Sequence, residues 1–177
     1  MLVLYESIQH VIRVEGQEKL DEMNIVLIAD LHLGYNVGLD EMKDMVAKIN
    51  DQNPDLVVLA GDIFDNEYEA IDEPEAIAKV LNGINAKYGK FAVYGNHDIQ
   101  EKILMGFTFE WSKEAKAKVQ ADDRMNKFIE DSGFTLLYDS YEEIADSVYV
   151  YGRPDRQKVN LGNDSRINEL SRQMELI

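Results

Sequence analysis

The 177-residue sequence has no cysteine. Disulfides and thiolate ligands are thereby excluded, and any bound metal must be held by oxygen and nitrogen donors. Histidine is almost as scarce, with His10, His32 and His97 the only three. Positive charge is thin as well: 18 lysines and arginines face 34 acidic residues, a net charge of −16. Such a surface repels polyanions, which argues against extended nucleic acid as a partner. No apolar run approaches the ~20 residues that a membrane-spanning helix needs. The first four residues are too short for the apolar segment of a signal peptide and lack a basic flank. The chain as given is therefore expected in a reducing cytoplasm. There is no glycine-rich phosphate loop of nucleotide-binding type.

What is present is a strand-end pattern that repeats. At 177 residues and 45% apolar content the chain suits one domain, residues 1–177, with room for a core. Ile25-Val26-Leu27-Ile28-Ala29 reads as a buried strand and ends in Asp30-Leu31-His32. In an extended chain the side chains at i and i+2 point to one side, so a carboxylate and an imidazole would share one space, as a divalent transition metal requires. Leu56-Val57-Val58-Leu59-Ala60 ends in Gly61-Asp62, and Phe91-Ala92-Val93-Tyr94 ends in Gly95-Asn96-His97-Asp98. One Asp-x-His is ordinary loop polarity. Three strand ends, each with a metal-capable or proton-transferring group, form a candidate site, because ligands of open α/β sheets bind beyond the carboxyl ends of the strands.

Between these strands the apolar spacing is helical. Leu39, Met42, Met45, Val46 and Ile49 share a face that Asn53-Pro54 ends. Ile77, Val80, Leu81 and Ile84 share another, which starts near Pro74 and leaves at Gly89. The alternation implies right-handed crossovers and a parallel sheet. Met125, Phe128 and Ile129 predict a short helix capped by Asp122 or Asp123 and ended by Gly133. Residues 134–138 and 147–151 read as two strands joined by a turn. A first strand is expected over residues 8–14, with His10 a structural strand histidine, and a last helix over 167–177. The apolar, aromatic stretch 103–111 has no clean period. It reads either as a surface segment packed on the core or as a lid, an apolar substrate wall, or a membrane or dimer contact.

The motifs Asp30-Leu31-His32, Gly61-Asp62 and Gly95-Asn96-His97-Asp98 resemble those of the calcineurin-like metallophosphoesterase family, in the same order. The likeness runs from about Ile25 to Asp155 and is strongest to membrane-associated bacterial phosphodiesterases. It implies an αββα sandwich, here incomplete: the first sheet with its helices and the start of the second sheet. It also implies two divalent ions, Mn²⁺ favoured and Fe or Zn²⁺ also suited. Asp30 and His32 would serve the first ion, Asp62 would bridge, and Asn96 would serve the second. His97 would protonate the leaving oxygen or hold a phosphoryl oxygen, and Asp98 would orient His97. Asp65, three residues after Asp62, reads either as a similar supporting acid or, in preference, as a solvated loop acid.

The sequence departs from the family at one point. The family closes its site with further histidines, one from a later strand end and two from a Gly-His-x-His motif, and no histidine follows Asp98. The expectation is a domain cut short at its C-terminus, either a phosphoesterase acting on small mono- or diesters or a half-site without turnover that acts only as a metal-binding or structural, interaction module. An aspartyl-nucleophile phosphatase fits less well, because its Asp-x-Asp is replaced by Asp30-Leu31-His32. Apolar surface left bare by the absent half would favour a homodimer. A segment ahead of Met1, common in such relatives, would place the full-length protein at a membrane.

Overall fold

The computed structural model describes residues 22–34, 37–65, 67–98, 122–145 and 148–153. The expected strand at 8–14 with His10, the aromatic stretch 103–111 and the helix at 167–177 lie outside these described residues.

Strands β1 (Ile25–Ile28), β2 (Leu56–Ala60), β3 (Lys90–Val93) and β4 (Thr135–Leu136) form a parallel sheet in sequence order. Helices α1 (Leu39–Asp51), α2 (Pro74–Asn82) and α3 (Asp123–Asp131) connect them. In a sheet that grows in one direction, right-handed crossovers place every helix on the same face. Accordingly α1 packs on α2, and α2 on α3.

The stripes expected from helical spacing are the buried ones: Met42, Met45, Val46 and Ile49 on α1, Ile77 and Leu81 on α2, Met125, Phe128 and Ile129 on α3. They meet Val57, Leu59 and Ala92 from the sheet in one core. Capping follows side-chain chemistry. The Glu41 carboxylate accepts from Gly38 N (3.1 Å) at the start of α1, and Asp122 accepts from Arg124 N (2.8 Å) at the start of α3. The second helix stops at Asn82 with Gly83 as its cap, not at Gly89, so Ile84 is buried just beyond the helix.

The two expected late strands are arranged differently from the sequence reading. Thr135–Leu136 does not pair with residues 147–151; it is β4 and extends the first sheet beside β3. The hairpin partner of β6 (Val148–Gly152) is instead β5 (Ser140–Ala145). The sequence hid β5 because Glu142 and Glu143 are adjacent and both exposed, which breaks alternation. The hairpin forms the second, antiparallel sheet. Ile144 and Val150 cover Leu56, Phe91 and Leu137 on the sheet face opposite the helices. The fold is thus α/β, with helices, a parallel sheet and a small antiparallel sheet in layers.

The expected full burial of β1 is also corrected. Val26 and Ile28 pack on the helical core, but Ile25 is 52% and Leu27 66% exposed. Their register partners Leu56 and Val58 lie on the hairpin side. Among the described residues, the hairpin covers β2 and β3 on that face and does not reach β1.

Lys90 joins two helix ends. Its Nζ donates to Leu81 O (3.2 Å), Asn82 O (3.1 Å) and Ser132 O (3.0 Å), carbonyls at the C-termini of α2 and α3. A cation there is favoured by the orphan carbonyls and both helix dipoles. Lys90→Met is expected to lower unfolding stability by about 2 kcal/mol, since charge-assisted bonds to carbonyls are lost while the carbonyls remain half buried. Urea denaturation of the two chains measures it, and an unchanged midpoint would show that the contact carries no net stability.

Candidate metal centre

Three loops at the carboxyl end of the parallel sheet form the site. The first two stay zipped beyond their strands. Asp30 N donates to Gly61 O (3.2 Å), His32 N to Asp62 O (3.0 Å) and Leu33 N to Ile63 O (2.8 Å). Leu31, Leu33, Ile63 and Phe64 alternate with these polar residues and are all at most 6% exposed. Apolar anchors therefore pull the loops into the core while Asp30, His32 and Asp62 remain near the surface.

The convergence of Asp30 and His32 does not arise from an extended chain, as the i, i+2 argument expected. Asp30 has φ +55°, His32 φ +46° and Asp62 φ +50°. Among the described residues, half of the six non-glycine residues with positive φ are these three candidates. Left-handed backbone costs such residues roughly 1 kcal/mol or more, and it persists where surroundings over-determine it, typically at functional sites. The result is a cluster: one ligand atom from each of Asp30, His32 and Asp62 lies within 4.8 Å of the others. Ligands ~2.1 Å from a common ion stand up to ~4.2 Å apart, so the set lies near the spacing an ion requires. Two carboxylates and an imidazole also suit a divalent transition ion chemically.

The third loop is locked to the second through side chains. His97 N donates to Asp62 Oδ1 (2.9 Å). Asp98, fully buried, accepts from Phe64 N through Oδ1 (2.8 Å) and from Gly95 N through Oδ2 (2.6 Å). Burial pushes the Asp98 carboxyl above the usual range; backbone N–H groups of Phe64, Gly95 and Ile63 pull it down, and the Asp62 charge raises it again. The bonds recorded for the Asp98 carboxylate run to backbone, so it ties two loops together. The His97 ring stands edge-on to the His32 ring at 5.2 Å. Asn96 joins Asp30 and Asp62 in lining a cavity of about 220 Å³.

Glycine is required where the second and third loops cross. A Cβ on Gly61, whose φ is +90°, would lie 2.9 Å from Gly95 Cα and Gly95 N. A Cβ on Gly95 would overlap Asp62 Oδ1 and stand 2.5 Å from Asp62 N. The carboxylate of Asp62 thus occupies the space that a side chain at 95 would need.

Two residues gain weight from the structure. Asp65 Oδ1 lies 3.7 Å from His32 Nδ1. That is too long for a hydrogen bond but close enough for a carboxylate to steer an imidazole. Arg153, directly after β6, lines the same cavity as Asp30 and Asp62. The sequence analysis ended the family likeness at Asp155 and gave Arg153 no role. A basic residue at a strand end in so acidic a chain was the available signal.

The family model for calcineurin-like phosphoesterase matches residues 23–175. The chain belongs to the calcineurin-like phosphoesterase family. Its similarity to individual members is partial. It is 38% identical over 78 residues to the uncharacterised metallophosphoesterase YkuE of Bacillus subtilis, covering 44% of this chain and 27% of that one. It is 29% identical over 121 residues to the UDP-2,3-diacylglucosamine pyrophosphatase LpxG of Chlamydia trachomatis, covering 68% and 34%. A zebrafish (Danio rerio) transmembrane protein with a metallophosphoesterase domain is 33% identical over 90 residues, covering 51% and 20%. The chain therefore spans about a fifth to a third of the length of these relatives. Members of this calcineurin-like family are named as metallophosphoesterase hydrolases, and some as transmembrane proteins. Among the described residues no helix is long and apolar enough to cross a membrane.

Proposed function

We propose that this chain carries the first half of a dinuclear metal site that hydrolyses small phosphate mono- or diesters. The observation that supports it most is the cluster of Asp30, His32 and Asp62 at the carboxyl end of the sheet, in a member of this family. Asp30 and His32 would hold one ion, Asp62 would share its carboxylate between two, and Asn96 would hold the second. Mn²⁺ is the favoured ion, with Fe and Zn²⁺ suited by the same donors. Bound divalent ions would activate a water and neutralise phosphoryl oxygens. The protein's own work is positional. Asp62, held by the His97 backbone N–H, fixes the third loop against the first two. His97, with its ring beside His32, would protonate the leaving oxygen or hold a phosphoryl oxygen. Asp98 secures the loop that carries His97. The exposed Ile25 and Leu27 face would serve as a self-association surface.

A second reading is favoured by the histidine count, since none follows Asp98. Asp30, His32, Asp62 and Asn96 are four ligands, too few to fill two coordination spheres without water. In that reading the 177 residues bind metal without turnover. The test is hydrolysis of an aryl phosphate monoester and diester with added Mn²⁺. The expected outcome is Mn²⁺ binding with little or no turnover by these residues alone. Robust turnover that disappears in Asp62→Ala would show that the residues present suffice. Absence of Mn²⁺ binding would end the metal-centre reading.

A further inference from the structure

We propose that Arg153 is the phosphate-binding residue of this site, holding a substrate phosphoryl oxygen opposite the Asp30–His32–Asp62 cluster. The inference rests on the metal-centre reading and adds to it a protein cation that grips the anion.

Placement comes first. A Cβ on Gly152 would overlap the Leu137 side chain, with Leu137 Cδ1 at 3.1 Å. The end of the second sheet is therefore seated directly on Leu137, whose N–H donates to Ala92 O (2.8 Å) of β3. This contact delivers the next residue, Arg153, to the carboxyl edge of the first sheet. There it lines the 220 Å³ cavity with Asp30, Gly61, Asp62, Gly95 and Asn96. Among the described residues that line it, Arg153 is the one basic residue.

Its Nε is buried and has no hydrogen-bond partner among the described residues. A buried guanidinium donor left unmet is costly, and such a group calls for a ligand or another specific explanation. Simple neutralisation of the carboxylates would not last in a loaded site. With Asp30 and Asp62 turned to divalent cations, a neighbouring guanidinium is repelled by them unless an anion lies between. A phosphate meets that need. The metals take oxygens on one side, and the planar fork of arginine, always charged, takes an oxygen on the other. Lysine, as a point charge, reproduces the attraction but not the two-pronged geometry.

The experiment uses the 177-residue chain, Mn²⁺ and inorganic phosphate as probe. Titration calorimetry measures Mn²⁺ first, then phosphate on the Mn²⁺-loaded chain. Arg153→Met is expected to weaken phosphate binding by about ten- to a hundredfold, as expected for loss of charge-assisted bonds, while Mn²⁺ affinity stays equal or rises. Arg153→Lys should recover part of the phosphate affinity. Thermal unfolding of both variants without metal should match the native chain. Phosphate affinity unchanged in Arg153→Met, or no phosphate binding by the loaded native chain, overturns the proposal. A fall in Mn²⁺ affinity or in stability with phosphate affinity unaltered would make Arg153 a structural ion-pair partner and overturn it too. If Mn²⁺ does not bind at all, the metal-centre reading fails by itself. Arg153 is then judged on the metal-free chain, where phosphate binding insensitive to Arg153→Met refutes it.

Discussion

Asp62→Ala should lower the Mn²⁺ affinity of the chain by about a hundredfold or more, whereas Asp62→Asn should separate that loss from any loss of structure. Removing even a group that only orients a ligand costs about ten- to a hundredfold in metal affinity, and a direct carboxylate ligand should cost no less. Asp62 has two roles. It offers a ligand atom to the cluster with Asp30 and His32, and its Oδ1 accepts from His97 N at 2.9 Å. Alanine removes both roles. It should therefore also destabilise the metal-free chain by about 1 kcal/mol, the ordinary worth of a hydrogen bond whose donor is left unmet. Asparagine keeps an oxygen for the His97 N–H but loses the charge. It also removes a negative charge that disfavours ionisation of buried Asp98. The metal-free Asn variant should thus melt at or slightly above the native temperature while still binding Mn²⁺ weakly. Calorimetric Mn²⁺ titration and thermal unfolding, each with and without metal, test this ordering. An Asp62→Ala chain that binds Mn²⁺ like the native one would remove Asp62 from the site.

Gly95→Ala is expected to be the most damaging single-methyl change. The added Cβ would overlap the Asp62 carboxylate and press on Asp62 N at 2.5 Å, and neither is a free side-chain end that swings aside. The Asp62 oxygen is held by His97 N, and Gly95 N is held by Asp98 at 2.6 Å. Relief requires the second and third loops to part, which loosens those bonds together. Overpacking of this kind typically costs about 1–3 kcal/mol, and coupled loss of the loop ties should bring the effect to the upper end. Mn²⁺ binding should weaken with it, because Asp62 is displaced from Asp30 and His32. Gly38→Ala is the internal control. Its Cβ would meet only the Glu41 carboxylate at 3.6 Å, an ordinary contact, so a few tenths of a kcal/mol are expected. Urea midpoints and Mn²⁺ titrations of both variants give the comparison. Equal midpoints for Gly95→Ala and Gly38→Ala would show that the loop crossing yields easily.

Much of this site is legible in the sequence. Apolar runs ending in Asp30, Asp62 and Asn96 marked three parallel strands, because strands of a layered parallel sheet are largely apolar and end where polar chemistry begins. Apolar stripes at helical spacing marked α1, α2 and α3, because burial selects the same residues that the period aligns. Those are local signals, carried by neighbours in the chain. What the sequence could not decide depended on contacts between distant segments. Asp30 and His32 converge through left-handed backbone held by the Gly61–Ile63 loop, not through the pleat of a strand. Thr135–Leu136 could pair on either side, and α3 returning over the sheet placed it beside β3. Two adjacent glutamates concealed β5, since both faces of the strand are exposed there and burial imposes no alternation. Ile25 and Leu27 look like core in sequence, yet their exposure depends on how far the hairpin reaches across the sheet. Arg153 is one arginine among the 18 basic residues until Gly152 packs on Leu137. Only that tertiary contact sets its charge among the carboxylates of the site.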